Sequence, residues 1–212
     1  RYGMSERLIT FSNPLRGEDP RKFPQLFVAV CERPFMVSPP CESSGGDGVT
    51  ATLEQPGAPS TGSGYRTVAS RVRDWASTRP EAVAMREKDF GIWQEYTWED
   101  VWNLTLDAAH GLLALDVEPG DRVSIHSEDR PEWMILDFAT VAIRGITVGL
   151  YPTNPAAEVH YLLSDSGSVV HFAEDQEQVD KWLERADELP RIRKVLFVEP
   201  RGVVNYDDDR LL

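Results

Sequence analysis

The sequence contains few cysteines, few basic residues and no long apolar segment. Its 212 residues include two cysteines, which cannot build the disulfide framework of a small secreted domain. The 22 Lys and Arg are outnumbered by 35 Asp and Glu, and the resulting net charge of −13 disfavours nucleic acid and anionic lipid as partners. The most apolar stretch, residues 135–150, contains Asp137 and Arg144 and is shorter than the ~18 residues of a membrane span. We therefore predict a soluble globular protein without a transmembrane segment.

Common motifs for binding phosphates or activating a serine are also missing. The sequence has no G-x-x-x-x-G-K-[ST], no G-x-G-x-x-G and no G-x-S-x-G. Residues 43–48 are rich in glycine, but no predicted strand precedes them and no predicted helix follows. We interpret them as linker.

Candidate metal ligands are scattered along the chain. No H-x-x-x-H or C-x-x-C pair occurs among the histidines His110, His126, His160 and His171 and the two cysteines. His126 and His171 fall near the ends of predicted strands, where α/β proteins bind ligands, but packing or hydrogen bonding is the favoured interpretation. The run from Asp207 to Asp209 is interpreted as a solvated loop, because adjacent carboxylates point in different directions. We assign no catalytic, cofactor-binding or metal-binding residue.

Composition divides the chain near residue 64. Residues 39–64 hold six glycines and four prolines and have no hydrophobic period, which predicts linker or disorder. The apolar clusters before them are too small for a core, and Cys31 and Cys41 are interpreted as incidental thiols. We expect an extension over residues 1–48, a flexible linker over 49–64 and a domain over 65–212.

Strands and helices alternate through most of the predicted domain. Apolar periodicity predicts strands at 82–87, 92–96, 122–126, 146–150, 168–172 and 194–198. It predicts helices at 67–78, 97–115, 132–144, 154–166 and 175–188. The repeated strand–helix order after residue 122 is typical of an α/β layer fold with a parallel sheet.

Several helix ends carry local signals. Thr97 and Asp100 have the spacing of a capping box, and Asp175 is the predicted cap of the last helix. Asp129 is the predicted cap of the helix that follows it, with Pro131 in the first turn and Glu132 in the reciprocal position. Asn154-Pro155 is the predicted cap of the next helix.

Burial is predicted from apolar content. The helix at 132–144 is apolar on nearly all sides and is expected to be buried, with Gly145 ending it. The apolar strand at 146–150 is expected to be covered on both faces. Four tryptophans are interpreted as core residues rather than substrate-stacking residues: Trp93, Trp98, Trp102 and Trp133.

Four passages in order resemble the N-terminal portion of the adenylate-forming synthetase superfamily, closest to bacterial long-chain fatty acyl-CoA synthetases. They read YTWEDV at 96–101, PGDRV followed by SEDRPEW within 119–133, GITVGLYP at 145–152, and YPT followed by YLLSDSG within 151–167. The stretch from Arg193 is also similar to that branch. The sequence departs from the family pattern at Asp129, where Asn is usual, and at Gly149, where Pro is usual.

The resemblance implies a fold and a reaction. The fold is a partial N-terminal subdomain of the synthetase, a layered sheet with helices. The reaction is ATP-dependent activation of a fatty acid to an acyl-adenylate and transfer to coenzyme A, with Mg²⁺. In the family, the phosphate loop, the aromatic ATP motif, the ribose-binding aspartate and the catalytic lysine follow the region matched here. We therefore expect the 212-residue chain alone to be inactive.

Alternatives remain open at this point. The chain is a non-enzymatic product or interaction module in one of them, and part of a fatty acyl-AMP ligase or another adenylating enzyme in the other. We expect a cytoplasmic protein without nucleic acid partners, and leave peripheral membrane association and oligomeric state open. One further hypothesis is that translation begins at Val49, with residues 1–48 read through from upstream, and that the end at Leu212 reflects a frameshift or truncation.

Overall fold

The computed structural model describes residues 66–203 and 205–212. The predicted extension and linker, the two cysteines, the glycine-rich residues 43–48 and the proposed start at Val49 lie outside these residues. The described part begins with helix α1 (Val68–Thr78), whose N-cap Thr67 accepts a hydrogen bond from the amide of Ser70 at 3.2 Å.

A β-hairpin and a long helix follow. Strands β1 (Val83–Asp89) and β2 (Ile92–Thr97) pair antiparallel, and α2 (Trp98–Ala114) begins directly after β2. The predicted capping box is confirmed: the amide of Thr97 donates to Asp100 Oδ2 at 2.9 Å, and the amide of Asp100 donates to Thr97 Oγ1 at 3.2 Å. These two bonds satisfy amides that the first helical turn leaves free.

The rest of the described chain is a parallel α/β unit, as the alternating pattern predicts. Its elements are β3 (Arg122–His126), α3 (Pro131–Ala142), β4 (Ile146–Leu150), α4 (Ala156–Ser166), β5 (Val170–Ala173), α5 (Gln176–Leu183) and β6 (Lys194–Phe197). The four strands are parallel and lie in the order β4-β3-β5-β6. The chain therefore enters the sheet at an inner strand and extends it on both sides.

Helices cover both faces of the sheet because successive strand residues point to opposite sides. On one face, Val123 and Ile125 of β3 and Phe172 of β5 pack with apolar residues of α2 and α3. On the other face, Ala173 of β5 packs with residues of α4 and α5 in a second cluster. A smaller third cluster joins α1, α2 and α3 to the hairpin, with Val72, Tyr96, Val101 and Phe138 at its centre.

The start of α3 differs from the prediction. Arg130, not Asp129, occupies the N-cap position, and no side-chain cap hydrogen bond is made there. Pro131 is the first helical residue, as predicted, but the Glu132 carboxylate contacts the Arg130 guanidinium (3.2 Å) instead of a free backbone amide. The cap prediction is wrong because the helix begins one residue later than a cap at Asp129 implies, after Arg130, whose side chain contacts Glu132 and the distant Glu174.

The end of α3 also differs. The left-handed residue is Arg144, with a φ of 68°, and Gly145 is not among the glycines with positive φ. A Cβ on Gly145 would lie 2.9 Å from Thr140 Cγ2 and 3.1 Å from the Thr140 carbonyl oxygen. Gly145 is thus required for close packing beneath the helix rather than for a turn conformation.

Strand β4 is not covered on both faces, contrary to the prediction. It forms one edge of the sheet, with Ile146 52% exposed and Gly149 also exposed. The prediction is wrong because apolar content does not reveal which strand a crossover places at the edge.

Two helix boundaries differ from the prediction as well. Helix α5 ends at Leu183, before a short 3₁₀ turn (Ala186–Glu188), and Pro155 occupies the N-cap of α4 without a side-chain cap bond.

Candidate functional site

The carboxyl edge of the parallel sheet brings together partly buried charged side chains from two strands. Strand β3 ends at His126 and β5 ends at Ala173, so the segments that follow them leave the same edge side by side. This edge is where open α/β sheets bind ligands. The candidate site comprises Ser127, Arg130 and Glu132 after β3, and Glu174 after β5.

Glu174 connects the two segments. Its Oε2 accepts hydrogen bonds from the backbone amide of Glu128 at 2.7 Å and from the hydroxyl of Ser127 at 3.2 Å. Its Oε1 accepts a bond from Arg130 Nη1 at 3.3 Å. One carboxylate thereby fixes the loop after β3 to the end of β5.

Arg130 lies between two carboxylates. Its Nε is 3.2 Å from Glu132 Oε2, and its side chain is 30% exposed against 9% for Glu132 and 16% for Glu174. Burial disfavours the guanidinium charge, but hydrogen bonds and charges from Glu132 and Glu174 outweigh it, so the pKa of Arg130 is raised. The guanidinium stays charged and acts as a fixed link, with no capacity for proton transfer.

A buried histidine pair lies beneath this network. His126 and His171 are both fully buried, and their ring centres are 5.8 Å apart. Ser124 Oγ donates to the carbonyl of Val170 at 3.2 Å and lies 2.9 Å from His171 Nδ1. Which of Ser124 Oγ and His171 Nδ1 donates the hydrogen to the other depends on the tautomer of the His171 ring.

Both imidazoles are neutral near pH 7. Desolvation lowers the pKa of His126 to about 4, and the positive charge of Lys181 adds to this effect. Desolvation lowers the pKa of His171 to about 3, with a further contribution from His126. Among the described residues, neither ring nitrogen of His126 has a hydrogen-bond partner, and Nε2 of His171 has none either, so the two neutral rings mainly fill the interior of the sheet.

The described residues do not fit the metal ion that the resemblance implies. Across 66–203 and 205–212, no three His, Cys, Asp or Glu side chains are grouped as metal ligands would be. Both oxygens of Glu174 already accept protein hydrogen bonds. Asp208, in the acidic run near the end of the chain, binds Arg210 at 2.8 Å, which holds the pKa of its carboxyl below the usual range. No step of a reaction is therefore derived through ATP, Mg²⁺ or coenzyme A.

The other histidines and the tryptophans considered in the sequence lie at separate places in the fold. His110 is exposed on α2, and His160 on α4 lies 3.2 Å from Glu188. Trp98, Trp102 and Trp133 are partly buried against the core clusters, as expected. Trp93 is 61% exposed on β2, so its interpretation as a core residue is wrong. The side chain of Trp93 lies on the solvent side of a hairpin that only one helix layer covers.

Sequence reasoning missed Glu174 and the linking role of Arg130. Glu174 stands one residue beyond the end of β5, at the edge where ligand sites of α/β proteins lie. That position was the available signal. Its partners are 44 to 47 residues away along the chain, so no local spacing pattern contains them.

Comparison with known proteins identifies the family that has this architecture. Residues 72–210 match the AMP-binding enzyme family. The chain belongs to that family. This AMP-binding family chain is 37% identical over 145 residues to the long-chain-fatty-acid–CoA ligase FadD15 of Mycobacterium bovis, which covers 68% of the chain and 24% of the relative.

Other relatives of this AMP-binding family chain carry different names. Triostin synthetase I of Streptomyces triostinicus is 34% identical over 88 residues, covering 42% of the chain and 17% of the relative. The acetoacetyl-CoA synthetase structure from Streptomyces lividans superposes with a TM-score of 0.61 at 27% identity, covering 68% of this chain and 23% of that one. The chain thus spans about a quarter or less of the length of these proteins.

Proposed function

We propose that this chain is the N-terminal part of a long-chain fatty acid–CoA ligase, which uses ATP to activate a fatty acid as an acyl-adenylate and then forms acyl-CoA. The observation that carries the proposal is the family match over residues 72–210 together with 37% identity to a long-chain-fatty-acid–CoA ligase over 68% of the chain. Fatty acid, ATP, Mg²⁺ and coenzyme A are the proposed reactants and cofactors of the whole enzyme.

In this proposal the described residues provide a scaffold. The Glu174 network fixes the loop after β3, and the histidine pair fills the sheet interior. No residue here is proposed as catalytic. The 212-residue chain alone is expected to lack activity, because the resemblance implies that the phosphate loop, the ribose-binding aspartate and the catalytic lysine follow the matched region.

Two alternatives have support of their own. Similarity to triostin synthetase I and to acetoacetyl-CoA synthetase favours another adenylating enzyme, including a fatty acyl-AMP ligase, as the second candidate. A non-enzymatic interaction module is the third, because the described residues carry no assigned catalytic group.

The decisive measurement is ATP–pyrophosphate exchange by the protein purified from its native gene. Palmitate should support exchange and, with coenzyme A present, palmitoyl-CoA formation. Exchange with palmitate but no thioester would favour the acyl-AMP ligase. Exchange only with acetoacetate or amino acids would favour the second candidate more broadly, and no exchange with any acid would favour the interaction module.

The recombinant 212-residue chain provides the matched control. It should give no exchange with palmitate while retaining the circular dichroism of a mixed α/β protein. Robust exchange by this chain would contradict the expectation that it lacks activity on its own. It would require a nucleotide site within these residues.

The domain boundaries are also proposals. Residues 65–212 are proposed to fold as one unit joined through a linker at 49–64, with 1–48 as an extension. Limited proteolysis followed by mass spectrometry should place the earliest cuts within 49–64. Cuts of equal rate inside the α/β unit would contradict this.

Localisation is proposed as cytoplasmic with peripheral membrane association. Within residues 66–203 and 205–212, no helix combines the length and apolar character needed to cross a bilayer. Fractionation of cells that express the native gene should place the protein in the cytoplasm, with a portion released from membranes by carbonate.

A further inference from the structure

The tip of the β1–β2 hairpin presents large apolar side chains to solvent. We define the hairpin tip as residues 88–93. Phe90 is 97% exposed, Ile92 65% and Trp93 61%. Single exposed apolar residues are normal on protein surfaces, but three within four residues on one turn form a local apolar site.

The turn itself is conformationally costly for phenylalanine. Phe90 and Gly91 both have positive φ, 46° and 83°, and they connect the paired residues Asp89 and Ile92. Turns of this type favour Asn-Gly or Asp-Gly, because the left-handed region is unfavourable for a bulky side chain. Neither packing nor turn geometry accounts for an aromatic ring at this position, and strain of this kind is concentrated at functional positions.

The charge of the tip identifies the kind of surface it fits. Lys88 and Asp89 are the charged residues of the tip and balance each other, so the tip carries no net charge within a protein of net charge −13. An anionic surface would repel the protein as a whole and gain nothing from the tip. A surface without net charge would not repel the protein and could take up the apolar side chains of the tip.

The shape of the tip and its residue types identify the partner further. A two-residue turn is convex, so it inserts into a partner and offers no cavity to a ligand. Lys88 Nζ lies 5.8 Å from the centre of the Trp93 ring, which places an amphipathic ring beside a lysine that can extend to the headgroups. Tryptophan and lysine with this arrangement are typical of the membrane–water interface.

We propose that the hairpin tip is a membrane anchor, in which Phe90, Ile92 and Trp93 insert among the headgroups of a zwitterionic bilayer. The biological reason rests on the proposed function, since long acyl chains partition into bilayers and an enzyme docked there meets its substrate at high local concentration. The anchor itself depends only on the exposed apolar tip and can be tested without catalysis.

The test is sedimentation of the full 212-residue chain with sucrose-loaded phosphatidylcholine vesicles. The wild-type chain should co-sediment, and Phe90→Asn should weaken the partition coefficient about tenfold, because a large apolar side chain no longer leaves water. Asn is favoured in the left-handed region, so Phe90→Asn should keep or raise the thermal midpoint. Loss of binding then cannot be attributed to unfolding.

A second tip variant and a matched control complete the design. Trp93→Thr should also reduce binding, and threonine suits a strand. Tyr161→Ser removes an aromatic ring of 62% exposure on α4, far from the tip along the chain, and should leave binding unchanged.

Several outcomes would overturn the anchor. These are no binding of the wild-type chain to phosphatidylcholine, equal binding by Phe90→Asn, or binding only to vesicles rich in phosphatidylserine. A change from dimer to monomer in Phe90→Asn would instead show that the tip contacts a second copy, which also refutes the anchor. Vesicle binding without ATP–pyrophosphate exchange by the native protein would refute the proposed function and leave the anchor standing.

Discussion

Strands β3 and β4 are neighbours of equal length with opposite environments. Strand β3 reads RVSIH and buries its last four residues, whereas β4 reads ITVGL and buries only Leu150. The less apolar strand is the more deeply buried. Position in the sheet, and not apolar content, therefore sets the burial of these two strands.

Among the described residues, Ser124 of β3 has hydrogen-bond partners, whereas neither ring nitrogen of the buried His126 has one. Ser124 and His126 both point to the face opposite Val123 and Ile125, and Ser124 is bonded to β5 through Val170 and His171. A buried hydroxyl or imidazole costs free energy unless it is hydrogen-bonded. Strand β4 also carries one such group, because Thr147 Oγ1 is buried and has no hydrogen-bond partner among the described residues.

The sharpest test of this comparison uses one substitution in both strands. Ile125→Ala in β3 should lower the free energy of unfolding by about 4 kcal/mol, because it leaves a cavity at a fully buried position. Ile146→Ala in β4, where the side chain is 52% exposed, should cost well under ~1 kcal/mol. Urea denaturation followed by circular dichroism would measure both. Equal losses would break the distinction between centre and edge.

The buried histidine pair makes the central strands sensitive to acid. Both pKa values are lowered in the folded chain, to about 4 for His126 and about 3 for His171, so the unfolded chain binds more protons below its ordinary value of ~6.5. The stability is complete above that pH and is lost as the pH falls toward the folded values. We expect a loss of about 3 kcal/mol between pH 7.5 and pH 5.

Variants assign this acid sensitivity to the pair. His171→Gln should reduce the slope of unfolding free energy against pH between 7 and 5 by about half. His110→Gln, at an exposed position on α2, should retain the wild-type slope. An unchanged slope in His171→Gln would show that other groups cause the acid sensitivity.

Loss of the Glu174 carboxylate at the carboxyl edge of the sheet should have the next largest effect on the free energy of unfolding. Glu174→Gln removes the charge that Arg130 contacts and weakens the bonds from Ser127 and Glu128, so we expect a loss of about 2 kcal/mol. Glu95→Gln, whose ion pair with Arg86 is exposed, should cost well under ~1 kcal/mol. Thermal unfolding of both variants at low and high salt would sharpen the contrast, since only the exposed pair is strongly screened.

The smallest expected difference lies at two glycines beside the edge strand. Gly145→Ala should lower the free energy of unfolding by about 1 kcal/mol, because the new Cβ would lie 2.9 Å from Thr140 Cγ2. Gly149→Ala should be neutral or slightly stabilising, because its Cβ would meet only Trp133 at 3.5 Å and alanine reduces chain entropy in a strand. The reverse order in calorimetry would show that β4 is more constrained than its exposure indicates.

Features encoded by adjacent residues could be predicted from the sequence. Thr97 and Asp100 are three residues apart and form the predicted capping box. The bounds of β3, residues 122–126, were also predicted, because a proline-glycine turn and a polar segment flank an apolar alternation. The order of strands and helices and the resemblance to the adenylate-forming superfamily agree with the structure and with the family match.

Features that depend on distant residues could not be predicted. Asp129 has the chemistry of a helix cap, but Arg130 takes that position while contacting Glu174, 44 residues away along the chain. The edge position of β4 follows from the direction of each crossover, and residue type does not encode it. The exposure of Trp93 depends on which surface of the hairpin the helices cover, which is likewise set by tertiary packing.

The strand order has a consequence for synthesis on the ribosome. Of the four strands of the parallel sheet, β3 is synthesised first. Ser124 can contact His171 only after 47 further residues have been added. At ~5–20 residues per second, that interval is roughly 2 to 9 seconds. During this time the most polar strand of the sheet has β4 as a neighbour on one side and an open edge on the other. The nascent chain therefore passes through a stage in which the future central strand is an edge strand with unpaired backbone hydrogen-bonding groups.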